Sequence, residues 1–123
     1  MKILLVDDDP DIGRIGMLSL EKVGGFQVLL ASSGAEALRE AQSERPDLIL
    51  LDMMMPDMDG MATLGALRAA PESAAVPVIF MTAKVQGGEV ERYLRAGAAG
   101  VIEKPFDPLA LPAEIRRILA AVS

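Results

Sequence analysis

Cysteine and histidine are both absent from this chain of 123 residues. The first absence excludes disulfides, thiolate zinc sites and a cysteine nucleophile. The second excludes serine–histidine catalysis and metal sites built on imidazole. Tryptophan is missing too, and aromatic residues make up only 3% of the chain. Oxygen atoms are therefore the main metal ligands and nucleophiles that the sequence offers.

Basic residues are also scarce, since 12 Lys and Arg against 18 Asp and Glu give a net charge of −6. An acidic chain without a basic run argues against direct binding to nucleic acid. The longest apolar stretch, Ala74–Ala83, is ten residues long and contains Pro77, whereas a membrane span needs about 20. Because the N-terminal apolar run Ile3–Val6 stops at Asp7, no signal peptide is indicated, and the expected compartment is the cytoplasm.

The apolar residues, 51% of the chain, include five short and nearly continuous runs. Such runs are typical of strands that are covered on both faces of a parallel sheet. An amphipathic stretch with helical spacing follows each run. The alternation predicts an α/β fold with a five-stranded parallel sheet flanked by five helices, in a single domain over residues 1–123. The predicted strands are Ile3–Val6, Phe26–Ala31, Leu48–Leu51, Val76–Met81 and Ala98–Ile102, and the predicted helices are Asp11–Val23, Ser33–Ser43, Gly60–Ala69, Gly88–Ala96 and Pro108–Val122.

Polar residues stand at the ends of four predicted strands. Asp7 and Asp8 follow the first strand, Asp52 the third, Thr82 the fourth and Lys104 the fifth. Because ligands of open parallel sheets bind beyond the carboxyl ends of the strands, these side chains should converge. Clustered carboxylates without histidine or cysteine suit Mg²⁺, and a carboxylate beside Mg²⁺ can accept a phosphoryl group. The spacing therefore suggests an aspartate that is phosphorylated with the help of Mg²⁺.

Five separated motifs carry a resemblance to a known family. They closely resemble the receiver domain of two-component response regulators, in order and at the right spacing over essentially the whole chain. The resemblance implies a flavodoxin-like sheet with the strand order 2-1-3-4-5. The motifs are Leu5–Pro10 (LVDDDP), Asp47–Gly60 (DLILLDMMMPDMDG), Met81–Lys84 (MTAK), Ala96–Ala98 (AGA) and Lys104–Phe106 (KPF).

The resemblance also implies chemical roles for matching residues. Asp52 is the expected phosphoacceptor, Thr82 the switch hydroxyl and Lys104 the lysine that pairs with the phosphate. The peptide bond before Pro105 is expected to be cis, which would aim the lysine into the pocket. The implied partners are a histidine kinase or phosphotransfer protein as donor and an unknown downstream protein target.

The implied cofactor is Mg²⁺, or Mn²⁺ in its place. By resemblance, Asp8 and Asp52 ligate it directly, and Asp7 acts mainly through water. The backbone carbonyl of Met54 is the third implied protein ligand.

Two other classes of protein share features with this pattern. Phosphatases that resemble haloacid dehalogenases also use a strand-end aspartate with Mg²⁺, but they need a second aspartate two residues later, where this chain has Met54. Methionine cannot serve as a general acid or base. A flavin-binding domain of this topology needs a phosphate-binding loop after the first strand, where the acidic run 7–9 would repel phosphate. The sequence favours a signalling switch, with a Mg²⁺-dependent phosphohydrolase as the alternative.

Four residues around the site are expected to modulate a switch. In the resembled family, the positions of Met54 and Lys84 line the approach of water to the phosphoacceptor. Two long side chains there predict slow self-dephosphorylation. The position of Val101 is commonly aromatic in receivers, and valine is too short and stiff to swing across a surface. The signal is therefore predicted to pass through re-ordering of Ala83–Glu89 and of the start of the fourth helix, coupled to the fifth strand and helix.

Overall fold

Strands and helices alternate along residues 1–83 and 85–122, the part of the chain that the computed structural model describes. The predicted α/β class is confirmed, and a π-helical segment, Ser19–Val23, continues the first helix. Within the described ranges, no helix is both long and apolar enough to cross a membrane. The strands are β1 (Lys2–Val6), β2 (Gln27–Ala31), β3 (Leu48–Asp52), β4 (Val78–Thr82) and β5 (Gly100–Glu103), and the helices are α1 (Pro10–Leu18), α2 (Gly34–Glu44), α3 (Gly60–Ala69), α4 (Glu89–Arg95) and α5 (Leu111–Val122).

All five strands belong to one parallel sheet with the order β2-β1-β3-β4-β5, as the resemblance implies. Every residue of β3 and β4 is buried, because helices cover both faces of the sheet. Neighbouring residues on a strand point to opposite faces. Phe80 enters the core cluster beneath α2, α3 and α4, and Ile79 enters the cluster beneath α5 and the π-helical segment. The carboxyl ends of all five strands consequently lie at one edge of the sheet.

The first helix differs from its prediction as Asp11–Val23. The structure leaves Ile15 and Val23 exposed to 43% and 49%, although the helical spacing put both on the buried face. Gly16 explains the difference, since a Cβ atom there would stand 2.6 Å from Cδ2 of Leu5 on β1. The helix therefore approaches the sheet through Gly16 and leaves Ile15 exposed.

The last helix begins later than its predicted start at Pro108. The carboxylate of Asp107 accepts a hydrogen bond from the Leu109 N–H at 2.9 Å. The carbonyl of Asp107 accepts from the N–H groups of Ala110 and Leu111 at 3.0 and 2.9 Å. Asp107 thus caps a turn that precedes α5, and the regular helix starts only at Leu111.

Arg68 links the C-terminal end of α3 by hydrogen bonds to two loops at the edge of the sheet where the strands begin. Its Nη1 donates to the carbonyl of Val76 at 2.7 Å, and its Nη2 donates to the carbonyl of Gly97 at 3.1 Å. Val76 precedes β4, while Gly97 follows α4 with a φ of 111°. The C-terminal end of α4 is therefore tied to α3.

Candidate functional site

Four of the predicted site residues meet at the carboxyl edge of the sheet. Asp7 follows β1, Asp52 and Thr82 end β3 and β4, and all three are buried. Lys104 follows β5, and its Nζ donates to Asp7 Oδ2 at 2.8 Å and to Asp52 Oδ1 at 3.1 Å. The peptide bond between Lys104 and Pro105 is cis. One ammonium group thus bridges two carboxylates that are buried together.

Asp8 completes a cluster of three carboxylates. One carboxylate oxygen from each of Asp7, Asp8 and Asp52 lies within 4.8 Å of the others. Since Asp8 is exposed, the cluster is open to water on that side. An all-oxygen donor set with strong negative charge and access for water fits Mg²⁺ or Mn²⁺.

The environment of Asp52 favours its neutral form. Burial and then the negative charge of Asp7 raise the pKa of Asp52 from 3.8 to about 6, although Lys104 and the Met54 N–H partly oppose the shift. Burial alone pulls the pKa of Lys104 down, but hydrogen bonds and charge contacts with the two carboxylates outweigh it and leave that pKa raised. At neutral pH the site therefore holds an ionised Asp52 that is more basic than an ordinary aspartate.

The loop after β1 is held by its own carboxylates. Asp7 Oδ1 accepts a hydrogen bond from the Asp9 N–H at 2.9 Å. Asp9 in turn caps α1 by accepting from the Asp11 N–H at 2.9 Å. These bonds leave Asp8, between the two, pointing away from the core and towards solvent.

The loop after β3 is held close to the end of the strand. The Met54 N–H donates to Asp52 Oδ1 at 3.3 Å, and Asp59 caps α3 by accepting from the Ala62 N–H at 2.9 Å. A Cβ atom on Gly60 would stand 2.8 Å from the Cα of Met53, so α3 can begin this close to β3 only with glycine. The start of α3 therefore packs directly against the end of β3.

The residues predicted to modulate the site lie in different environments. The side chain of Met54 is 60% exposed beside Asp52. Val101 is half-buried and packs against the core cluster that contains Phe80, whereas Ala83 is exposed. Lys84 falls outside the described residues, so its predicted role stays a prediction. The role of the Met54 backbone carbonyl as a metal ligand also stays a prediction.

Tyr93 is the residue that sequence reasoning missed, because it reads as one of the apolar residues of the fourth helix. Its hydroxyl donates to Glu89 Oε2 at 3.0 Å. Burial, followed by Glu89, raises the pKa of Tyr93. The spacing of four residues between Glu89 and Tyr93 on one helix could have indicated their contact.

Without divalent cations, the wild type is expected to lose stability relative to Asp52→Asn as the pH rises from 4 to 8. The pKa of Asp52 is raised from 3.8 to about 6 on folding, so its stabilising contribution is complete below pH 4 and is lost as the pH passes 6. Asparagine stays neutral throughout. The difference in free energy of unfolding between variant and wild type should grow by about 1 to 2 kcal/mol, because screening by solvent reduces the effect of the full pKa shift. Urea unfolding in EDTA measures it, and a difference that does not change with pH would contradict the expectation.

The fold and the acidic pocket together define a domain of the receiver type. A family model described as the response regulator receiver domain matches residues 3–116. The chain belongs to this family. Its sequence is 38% identical over 118 residues to the alkaline phosphatase synthesis transcriptional regulatory protein PhoP of Bacillus subtilis, covering 96% of this chain and 48% of that protein.

Two further comparisons agree. Response regulator Rre1 of Synechocystis is 37% identical over 120 residues, which cover 98% of this chain and 52% of that protein. The structure of the chemotaxis response regulator CheY4 of Vibrio cholerae aligns with a TM-score of 0.88 at 32% identity, over 95% of this chain and 97% of that one. The chain spans about half the length of the curated relatives it matches.

Proposed function

We propose that this chain is a phosphoryl-accepting switch. Asp52 takes a phosphoryl group from a histidine kinase or phosphotransfer protein in a Mg²⁺-dependent reaction, and a downstream protein reads the resulting change of conformation. The observation that carries the proposal is the position of Asp52, which lies in a three-carboxylate cluster with Lys104 Nζ 3.1 Å from its Oδ1.

The proposed reaction is a displacement at phosphorus. A carboxylate oxygen of Asp52 attacks, the P–N bond of a phosphohistidine breaks, and the imidazole leaves with the bonding electrons. The raised pKa of about 6 makes Asp52 more basic than usual while leaving it ionised at neutral pH. Lys104 exchanges its contact with Asp52 for one with the phosphoryl group, and the Thr82 hydroxyl donates to a phosphoryl oxygen.

The same carboxylates serve the cofactor in this proposal. Asp8 and Asp52 would hold Mg²⁺ directly, with the Met54 carbonyl as a further ligand and Asp7 acting through water. When bound, the cation neutralises charge on the phosphoryl oxygens. The exposed position of Asp8 leaves room for the water molecules that Mg²⁺ retains.

Incubation with acetyl phosphate and Mg²⁺ tests the function without a partner. We expect one phosphoryl group per chain, detected as a single mass increase, and no adduct when EDTA replaces Mg²⁺. Rapid turnover of unrelated phosphomonoesters would instead favour a phosphohydrolase. The position two residues after Asp52 argues against that alternative, because the exposed Met54 cannot transfer a proton.

The proposed output of this domain is contact with a protein. One relative is named as the DNA-binding response regulator MtrA of Mycolicibacterium smegmatis, of which this chain matches 49% of the length. The net charge of −6 opposes direct contact between this domain and nucleic acid. We therefore propose that the change of conformation is recognised through contact with a protein surface.

Met54 is expected to prolong the phosphorylated state. Its 60% exposed side chain stands beside Asp52 and offers no hydrogen bond to a water molecule approaching the acyl phosphate. Asparagine at this position can orient that water molecule. Met54→Asn should therefore hydrolyse its phosphate about tenfold faster, an increase of the size expected when a reacting water molecule is positioned. Loss of the adduct over time, after removal of acetyl phosphate, gives the rate. Met54→Leu is the matched control, and an unchanged or longer lifetime of Met54→Asn would remove this explanation.

A further inference from the structure

Three consecutive methionines follow the strand that ends at Asp52, and they differ sharply in their access to solvent. The side chain of Met54 is 60% exposed, more than that of any other methionine of the chain. Its neighbours Met53 and Met55 are only 6% and 8% exposed and belong to the core cluster that contains Phe80. A reagent in solution therefore reaches the thioether of Met54 and not those of its neighbours.

Met54 also lies next to the expected chemistry. Its N–H donates to Asp52 Oδ1 at 3.3 Å. Its side chain lines a cavity of about 180 Å³ whose wall includes the charged residues Asp59, Glu89 and Arg92. An oxygen atom added to the sulfur of Met54 would consequently meet water and charged groups.

The buried neighbours would respond differently to the same addition. Oxidation converts the apolar thioether of methionine into a polar sulfoxide. A polar group in an apolar core costs free energy unless it is hydrogen-bonded. Oxidation of Met53 or Met55 would therefore disturb the core, whereas oxidation of Met54 leaves the packing intact and changes only the surroundings of Asp52.

We propose that Met54 is a site of reversible oxidation by peroxides, and that its sulfoxide shortens the phosphorylated state of Asp52. The sulfur lone pair attacks one oxygen of hydrogen peroxide, so an S–O bond forms and the O–O bond breaks. The hydroxide that leaves takes the proton of the new S–OH group, which gives the sulfoxide and water. A methionine sulfoxide reductase reverses the step, with a dithiol oxidised to a disulfide as the oxygen leaves in water.

The sulfoxide oxygen supplies a hydrogen-bond acceptor that the thioether lacks. It can hold and orient a water molecule that attacks the acyl phosphate of Asp52, in the way proposed for Met54→Asn. This inference rests on the proposed function, because only a phosphorylated Asp52 has a lifetime to change. Peroxide would thus end the signal sooner without damaging the fold.

Peptide mapping after brief exposure to hydrogen peroxide tests the modification alone. Fragment-ion mass spectrometry should place the added oxygen on Met54 at least about tenfold more often than on Met53 or Met55, since oxidation follows exposure. Urea unfolding should give the same midpoint before and after this exposure. Equal oxidation of the three methionines would overturn the proposal.

The lifetime of the phosphorylated chain tests the consequence. After labelling with acetyl phosphate and Mg²⁺, the oxidised wild type should lose its phosphoryl group about tenfold faster than the unoxidised wild type, as expected for a positioned water molecule. A methionine sulfoxide reductase with dithiothreitol should restore the original lifetime. Met54→Leu has no sulfur at this position and should keep one lifetime with and without peroxide. Met61→Leu is the matched control, because it changes the same cavity but keeps Met54, and it should respond like the wild type.

The possible failures are distinguishable. If the unoxidised wild type takes up no phosphoryl group, the proposed function is wrong and the regulation falls with it. If the wild type is labelled but oxidation of Met54 leaves its lifetime unchanged or longer, the proposed function stands and the role of Met54 is overturned. Equal shortening of the lifetime in Met54→Leu would overturn that role as well.

Discussion

Asp52→Asn is expected to take up no phosphoryl group from acetyl phosphate and Mg²⁺, with labelling reduced by more than about 100-fold. The asparagine amide matches the carboxylate in shape and keeps the oxygen that accepts from the Met54 N–H at 3.3 Å. It lacks the charge and the nucleophilic oxygen. Mass spectrometry of the intact chain measures the loss.

A neighbouring substitution serves as the control for this first prediction. Asp59 lies on the same loop and caps α3 by accepting from the Ala62 N–H at 2.9 Å. Asparagine is an equally good cap, so Asp59→Asn should label like the wild type. Labelling of Asp52→Asn at the wild-type rate would show that the phosphoacceptor has been assigned to the wrong residue.

Mg²⁺ is expected to stabilise the wild type and to stabilise Asp8→Asn far less. Three carboxylates with oxygens within 4.8 Å of one another repel, and a cation that binds only the folded chain relieves this repulsion. At 100 times its dissociation constant, such an ion adds about 2.7 kcal/mol to the free energy of unfolding. Asp8 is the suitable residue to change because it is exposed, so its replacement leaves the packing intact.

Urea unfolding at a series of Mg²⁺ concentrations gives the result. We expect the Mg²⁺ concentration that gives half of the maximal gain in stability to be much higher for Asp8→Asn than for the wild type. The matched control is Asp9→Asn, which keeps the cap on the Asp11 N–H and lies outside the carboxylate cluster. An equal gain of stability in Asp8→Asn and the wild type would exclude Asp8 as a ligand.

The parts of the fold that follow from local patterns were predictable from the sequence. Gly60–Ala69 is a helix in the predicted range, and β3 differs from its prediction only by including Asp52. The periodic pattern failed at the first helix, where contact with the sheet selects Gly16 over Ile15. The distance between α1 and the sheet depends on Leu5 of β1, so the sequence of the helix alone does not predict it.

The candidate site was likewise predictable from the sequence only in part. Asp52 and Lys104 stand at strand ends, and the rule that parallel strands end at one edge was enough to bring them together. The pattern predicts a core position for Tyr93, since helical spacing shows which face is buried but not which group the hydroxyl contacts. The direction of the Asp52 pKa shift likewise depends on burial and on Asp7, which only the assembled sheet provides.

The two ends of α4 are held unequally, and this determines the kind of movement that the helix can make. At its C-terminal end, Arg68 donates to the carbonyl of Gly97 at 3.1 Å, while its N-terminal end follows glycines 87 and 88, where a Cβ atom would meet nothing within 4 Å. The helix has seven residues and is about 10 Å long. Because it is held at one end, it would pivot about that end and would not slide. If the proposed switch moves α4, the displacement would be largest at Glu89 and least near Ala96, so a partner protein that contacts the amino end of the helix would detect the largest difference.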